Sequence, residues 1–258
     1  MTTPAIQGQA FQETTAQLGS VQGRFVSKSM PFLAVIGVIL LLLAALIGAQ
    51  YFTTSSKVMD REPMLIFAIL IGGLGAWIMR SWLTRRGKVI EVYERGVVRI
   101  QGKQVKITCW DDIDAVWQRI TRHYHNGMYT GTTHVYTILA KNGERFSVSH
   151  IYKDIEALGQ IIQSEVTKRL LPPFVRAYQT GQTVNFGKLS LNTQGLIHKN
   201  KQLSWSEIKD LKIERGFISV KQEGGRWFNW ATVGADSIPN LFVFLALVDS
   251  IVGIRTGG

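Results

Sequence analysis

The sequence predicts a membrane α-hairpin followed by an α+β region in which one folding unit occurs twice. Two long apolar runs lie near the N-terminus, and short β-type runs separated by turn dipeptides follow them. A Gly–Lys–Trp–Ile pattern then occurs twice, each time before a segment with helical spacing. We therefore divide the chain into a flexible tail (1–30), the hairpin (31–83), a first domain (84–171), a linker (172–182) and a second domain (183–258).

The hairpin consists of two runs that are each long enough to cross a bilayer. Residues 31–52 carry no charged side chain, and residues 64–83 carry one, Arg80 in the last turn. A helix of about 20 residues rises about 30 Å, which matches the hydrocarbon core of a membrane. The linker between the runs is short and polar, so we expect two antiparallel transmembrane helices. A pair of buried core helices in a soluble protein is the alternative.

The basic residues around the hairpin predict its orientation. The connecting loop carries Lys57 and Arg61, whereas the outer flanks carry Arg24, Lys28, Arg80, Arg85, Arg86 and Lys88. Because basic flanks stay on the cytoplasmic side, both termini are expected in the cytoplasm, with the protein in the plasma membrane. Residues 1–30 are rich in Gln, Thr, Ser and Gly, and we expect them to form a flexible tail.

The pattern downstream of the hairpin alternates between strands and helices. Asn-Gly dipeptides at 126–127 and 142–143 lie between β-branched and aromatic runs, which predicts tight antiparallel hairpins. Residues 154–170 have helical spacing, and Pro172-Pro173 are expected to end that helix. Strands then resume after residue 183 and lead to a second apolar helix near the C-terminus.

The two copies share a motif of a glycine, a tryptophan and an isoleucine. We align two sets of three residues, first Gly96, Trp110 and Ile113, then Gly195, Trp205 and Ile208. The tryptophan and isoleucine are expected to point into the core at a tight corner. The shared order and the closing helix indicate a duplicated unit.

Through this motif and this order of elements, residues 89–253 resemble bacterial membrane proteins that attach pleckstrin-homology-like (PH-like) domains to a transmembrane hairpin. The resemblance implies two tandem PH-like antiparallel β-barrels, each closed by a C-terminal helix. It also implies a binding or scaffolding module for lipid headgroups or protein partners, usually without catalysis.

Two basic groups are candidate sites for anionic lipid headgroups. The first comprises Arg119, Arg122, His123 and His125, around the turn at 126–127. The second follows the hairpin and comprises Arg85, Arg86 and Lys88. Guanidinium groups bind phosphate through paired hydrogen bonds, and basic residues beside a bilayer attract anionic lipid. An ordinary solvated hairpin is the alternative for the first group.

Composition limits the possible functions. The net charge is +11, and residues 84–258 carry 24 basic and 15 acidic side chains. A membrane anchor favours anionic lipid over nucleic acid as the partner of this basic region, so no nucleic acid is expected. Protein partners and self-association through the transmembrane hairpin are further expectations.

The motifs of catalysis are missing from the sequence, so we predict a non-enzymatic protein without catalytic residues, cofactor or metal. Cys109 ends an apolar strand where the other copy has Ser204, which favours a packed thiol over a nucleophile. A structural subunit of a larger membrane complex is the second hypothesis. An enzyme with an unrecognised site is the third.

Overall fold

The computed structural model describes residues 16–28, 30–53, 62–225, 228–253 and 255–256. The chain divides into two compact units. The hairpin unit comprises Val26–Val89 and Ile100–Gln104, and the remaining residues form the sheet unit.

The hairpin unit contains two long apolar helices, as predicted. Helix α1 spans Pro31–Thr53 and helix α2 spans Glu62–Arg85. The parts long and apolar enough to cross a membrane are Pro31–Tyr51 and Pro63–Arg85, and only 6% of each is buried. A core helix of a soluble protein is mostly buried, so this exposure disfavours that alternative.

The two helices approach each other where small residues face one another. A Cβ atom on Gly75 would lie 3.1 Å from the carbonyl oxygen of Gly37, and one on Gly72 would lie 3.3 Å from the Cβ of Ala44. Gly37 and Gly75 are both buried, unlike most of the hairpin. Glycine therefore permits close backbone packing at this crossing.

The sheet unit contains two halves with the same order of elements. In the first half, strands β1 to β4 pair in the order β1-β2-β3-β4 and span Val21–Val26, Lys88–Tyr93, Gly96–Gln101 and Gln104–Cys109. A 3-10 turn at Trp110–Asp112 leads to a three-stranded sheet of β5 (Ile113–His125), β6 (Met128–Ala140) and β7 (Arg145–Ser149). Helix α3, Ile155–Gln179, closes this half.

The second half repeats this arrangement. Strands β8 to β11 form the four-stranded sheet and span Val184–Phe186, Leu189–Leu191, Gly195–His198 and Lys201–Ser204. The 3-10 turn Trp205–Glu207 leads to a second sheet of β12 (Ile208–Glu214), β13 (Phe217–Gln222), β14 (Ala231–Gly234) and β15 (Arg255–Thr256). Helix α4, Leu241–Val252, follows β14.

The sheets are open, so the expected barrel closure is not clearly present. Each half is built from two separate sheets, with three or four strands each. The predicted tight turn at residues 126–127 is confirmed, since His125 pairs with Met128 and both intervening residues have positive φ. The division into two domains stays a prediction, because both halves belong mainly to one compact unit.

The expected tail is wrong for residues 21–26, which form β1 beside β2. Phe25 and Leu18 are buried, and the Glu94 N–H donates to the Ser20 carbonyl at 3.2 Å. The hairpin therefore connects two neighbouring strands of one sheet. Its counterpart in the second half is the two-residue turn between β8 and β9. Residues 1–15 lie outside the described residues.

The prediction that Pro172-Pro173 end a helix is also wrong, because α3 continues to Gln179. Each proline removes a backbone donor and disfavours helix. Apolar residues on both sides of the prolines pack against the core of the second half, among them Leu171, Phe174 and Tyr178. We infer that this burial outweighs the lost hydrogen bonds, so most of the predicted linker is helical.

Asn240 joins the two halves by imitating a neighbouring strand. Its side-chain oxygen accepts from the Val116 N–H at 2.9 Å, and its own N–H donates to the Val116 carbonyl at 2.9 Å. Its side-chain amide also donates to the Asp114 carbonyl at 3.0 Å. These bonds satisfy the buried backbone edge of β5 at this point.

We expect Asn240→Ala to destabilise the sheet unit by roughly 2–4 kcal/mol, because it leaves the buried Val116 N–H unsatisfied and puts alanine at a positive φ. Thermal unfolding and hydrogen exchange of β5 in mild detergent measure the effect. Asn200→Ala is the matched control, since Asn200 also has positive φ but is exposed in a turn. Equal losses for both variants would contradict the role of Asn240.

Candidate functional site

The repeated motif forms the same corner in both halves. The Trp110 indole N–H donates to the Tyr93 carbonyl at 3.0 Å, and the Trp205 indole N–H donates to the Asn192 carbonyl at 2.9 Å. Each acceptor lies three residues before the motif glycine. Ile113 and Ile208 each donate a backbone bond to the tryptophan carbonyl and begin the next strand. The motif residues therefore have equivalent structural roles.

The two motif positions, 96 and 195, have room only for glycine. A Cβ on Gly96 would lie 2.6 Å from the Thr108 carbonyl oxygen, and one on Gly195 would overlap the Leu203 carbonyl oxygen. Both glycines begin a strand that pairs with the strand before the tryptophan. The backbones approach too closely there for any side chain.

The basic residues after the hairpin form a compact group at the end of α2, which we call the juxtamembrane cluster. It comprises Arg85, Arg86 and Lys88. Arg85 and Arg86 are exposed, and the Arg86 guanidinium lies 4.8 Å from the centre of the Trp82 ring. Lys88 accepts a backbone bond from Ser27 at 2.9 Å, which brings the two ends of the hairpin together.

Nine other basic side chains have acidic partners among the described residues, whereas the three residues of the juxtamembrane cluster, like Arg122 and several exposed lysines, have none there. The paired residues are Arg24, Arg99, Lys106, Arg119, Lys168, Arg169, Lys209, Lys212 and Arg215. Hydrogen bonds from Lys106 and Arg99 lower the pKa of Glu144, as expected for a carboxylate held by two cations. The cluster's positive charge is therefore available to an external anion.

An open cavity of about 600 Å³ lies within the hairpin unit at the same end of α2. Its wall is mainly apolar, with a guanidinium, a hydroxyl and an amide among the lining groups. The lining residues are Leu41, Ala76, Met79, Arg80, Leu83, Thr84 and Gln101. The apolar wall and the polar lining groups together match the acyl chains and the headgroup of a phospholipid.

The other candidate group lies on a projecting pair of strands. β7 pairs only with residues 135–139 of β6, so residues 120–134 extend beyond the three-stranded part of the sheet as a two-stranded arm. Every residue from 119 to 130 is exposed. We call residues 120–134 the β5–β6 arm. It belongs to the sheet unit.

Two of the predicted basic residues, one at the base of this arm and one on it, already have partners. Arg119 is 3.1 Å from the Asp236 carboxylate, and the His123 ring nitrogen is 2.7 Å from the Thr133 hydroxyl. Arg122 and His125 are exposed and carry no ion pair among the described residues. Since exposed ion pairs contribute little, Arg119 remains accessible to a competing anion.

His134 lies on the opposite face of the arm from His123 and His125. It pairs across the strands with Ile120, and its Nε2 lies 3.1 Å from the Glu156 carboxylate. Among the described residues, His, Cys, Asp and Glu form no group of three or more arranged for a metal.

Partial burial, and then the charges of Asp112 and Asp111, raise the pKa of the Cys109 thiol. A raised pKa disfavours the thiolate and thus nucleophilic chemistry.

Sequence reasoning missed two features near these sites. The aromatic residues of the arm, Tyr124 and Tyr129, lie beside the predicted basic residues and are exposed. Alternation of apolar and polar residues in that segment was the available signal. Arg80, predicted only as one of the basic residues that flank the hairpin, also lines the cavity together with Gln101, the last residue of β3.

The fold and these groups define a class of protein: an apolar two-helix hairpin connects two neighbouring strands of an open sheet and carries a basic cluster at its base. The chain belongs to DUF6585, a family of unknown function whose model matches residues 1–255. A search of the curated proteins finds no match to the chain.

Proposed function

We propose that this protein is a non-enzymatic, multi-pass protein of the plasma membrane that binds anionic lipid headgroups at the base of its hairpin. The unpaired juxtamembrane cluster beside a cavity with apolar and polar lining is the observation that carries the proposal. The headgroup phosphate would meet Arg85, Arg86 and Arg80, and an acyl chain would occupy the apolar wall.

The pairing of β1 with β2 supports the proposed membrane topology. Because β1 precedes the hairpin and β2 follows it, their pairing requires both ends of the hairpin on one side of the bilayer. The excess of Lys and Arg on the outer flanks puts that side in the cytoplasm. The N-terminus, the sheet unit and the C-terminus are then all cytoplasmic.

The strand and helix content supports two tandem PH-like domains. Each half has a four-stranded sheet, a 3-10 corner, a second, mainly antiparallel sheet and a helix after it. Residues 21–26 supply the first strand of the first domain, so the transmembrane hairpin is an insertion into its first turn. Domain insertion is tolerated where the ends of the insert lie close together, as they do here.

The test measures lipid retention by the full chain. The protein is purified in a mild uncharged detergent with an equimolar mixture of phosphatidylglycerol and phosphatidylcholine, and bound lipids are counted by native mass spectrometry. We expect selective retention of phosphatidylglycerol by the wild type. Replacing Arg85, Arg86 and Lys88 together with Gln should remove most of this preference, at about 1 kcal/mol, or roughly fivefold in affinity, per basic residue.

The matched control replaces three exposed lysines of the sheet unit with Gln, namely Lys188, Lys201 and Lys221. It removes the same charge away from the hairpin and should keep the lipid preference. Loss of preference in both variants would show a general effect of net charge. No preference in the wild type would refute the proposal.

A structural subunit of a larger membrane complex is the second candidate function. The observation that favours it is the exposed apolar surface of α1 and α2, of which only 6% is buried within the chain. Other helices can cover such a surface as well as lipid can. The same mass spectra distinguish the two, because a stoichiometric protein partner, or a second copy, would appear as an added mass.

A further inference from the structure

The tip of the β5–β6 arm carries an exposed aromatic pair on one face. Tyr124 and Tyr129 face each other across the strands, with ring centroids 6.0 Å apart in an edge-on arrangement. They are 61% and 59% exposed, and Met128 beside the turn is 70% exposed. The Tyr129 hydroxyl is 2.7 Å from the Thr132 hydroxyl, which fixes the ring against the arm.

We propose that this tip is a second membrane contact, in which Tyr124, Met128 and Tyr129 enter the interfacial layer of an anionic bilayer and Arg122 binds its headgroups. The proposal rests on the proposed function in one respect, that the hairpin holds the sheet unit at a membrane. The tip would add a contact that inserts apolar side chains to the electrostatic contact at the juxtamembrane cluster.

The chemistry of the arm favours a bilayer over a protein as its occupant. Tyrosine has an apolar ring and a polar hydroxyl, and it prefers the boundary between hydrocarbon and headgroups. Arg122 pairs with Thr132 across the strands, which places its guanidinium on the tyrosine face. Residues 115–143 contain no Asp or Glu, so no acidic side chain of the arm opposes an anionic surface.

The length of the arm suits this role. Six residues of β5 and seven of β6 project beyond the three-stranded part of the sheet, which is about 20 Å at about 3.3 Å per residue. The turn at Asn126 and Gly127 is tight, so the exposed apolar groups are concentrated at the end. A two-stranded ribbon has no hydrophobic core in which these apolar side chains could be buried. They are therefore available to contact an external surface.

The experiment places a fluorophore at the tip of the full-length protein. Cys109→Ser removes the native thiol, a change that the second half already carries as Ser204, and Met128→Cys receives an environment-sensitive NBD label. The protein is reconstituted into vesicles of phosphatidylcholine and phosphatidylglycerol that contain a lipid with a nitroxide near the headgroup. We expect a blue-shifted emission and several-fold more quenching than for the same label at Thr193→Cys, an exposed turn residue.

Two further measurements make the result decisive. Tyr124→Ser with Tyr129→Ser should abolish most of the quenching, and Arg122→Gln should make it insensitive to the phosphatidylglycerol content. Equal quenching at positions 128 and 193 overturns the proposal. A label that is already shielded in detergent micelles, together with the mass of a dimer, would assign the tip to a second copy and also overturn it. Either failure leaves the lipid count at the juxtamembrane cluster unchanged, so it does not refute the proposed function.

Discussion

Gly195→Ala is expected to destabilise the second half by about 3 kcal/mol, at the upper end of what overpacking costs. The added Cβ would overlap the Leu203 carbonyl oxygen and lie 2.7 Å from its carbonyl carbon. Both atoms belong to the paired backbone of β11, so no side-chain rotation relieves the clash. The expected result is a lower thermal midpoint and faster hydrogen exchange in β9 to β11, measured on the full chain in mild detergent.

Two other glycines make this prediction specific. Gly96→Ala places its Cβ 2.6 Å from the Thr108 carbonyl oxygen, so we expect the same defect in the first half at a smaller cost of about 1–2 kcal/mol. Gly73→Ala places its Cβ where nothing lies within 4 Å, so it should leave stability unchanged. A Gly195→Ala protein as stable as Gly73→Ala would show that β10 and β11 separate more easily than their close approach suggests.

The features that the sequence predicted well depend on local patterns. The two apolar helices follow from runs of about 20 residues with almost no charge, because length and hydropathy alone satisfy a bilayer. The turn at residues 126–127 follows from Asn-Gly, which adopts positive φ at little cost. The exposure of Arg85 and Arg86 follows equally from their charge.

The features that the sequence did not reveal depend on distant partners. Strand β1 has only six residues, and its neighbour β2 lies beyond the whole hairpin, so no local signal distinguishes it from a polar tail. Asn240 acts on Val116, 124 positions away, through a side chain that imitates a strand. Pro172 and Pro173 remain in α3 because tertiary burial overrides local propensity.

The pairing of β1 with β2 has a consequence for experiments on fragments. A fragment that begins at residue 84 lacks β1, and with it the buried side chains of Leu18 and Phe25. The sheet β2-β3-β4 would then present a new unpaired edge, which favours aggregation. Binding studies of the sheet unit therefore need the N-terminal strand as well as the residues after the hairpin.

Trp110→Ala should be more destabilising than Trp205→Ala, although the sequence motif treats the two residues as equivalent. Trp110 is 1% exposed and belongs to the core of the first half, so its truncation is expected to cost about 3–5 kcal/mol. Trp205 is only partly buried and packs at the border of the second core, so its truncation removes less contact. Thermal unfolding followed by far-UV circular dichroism measures both variants without relying on tryptophan emission.

Phenylalanine at each position separates the hydrogen bond from burial. Trp110→Phe and Trp205→Phe each remove one indole N–H, and each leaves one carbonyl, of Tyr93 or Asn192, without that donor. Because the two bonds have nearly equal lengths, we expect similar losses of about 1–2 kcal/mol in the two halves. The opposite result would be equal losses of stability for the two alanine variants and unequal losses for the two phenylalanine variants. It would show that the hydrogen bond distinguishes the two halves and that burial does not.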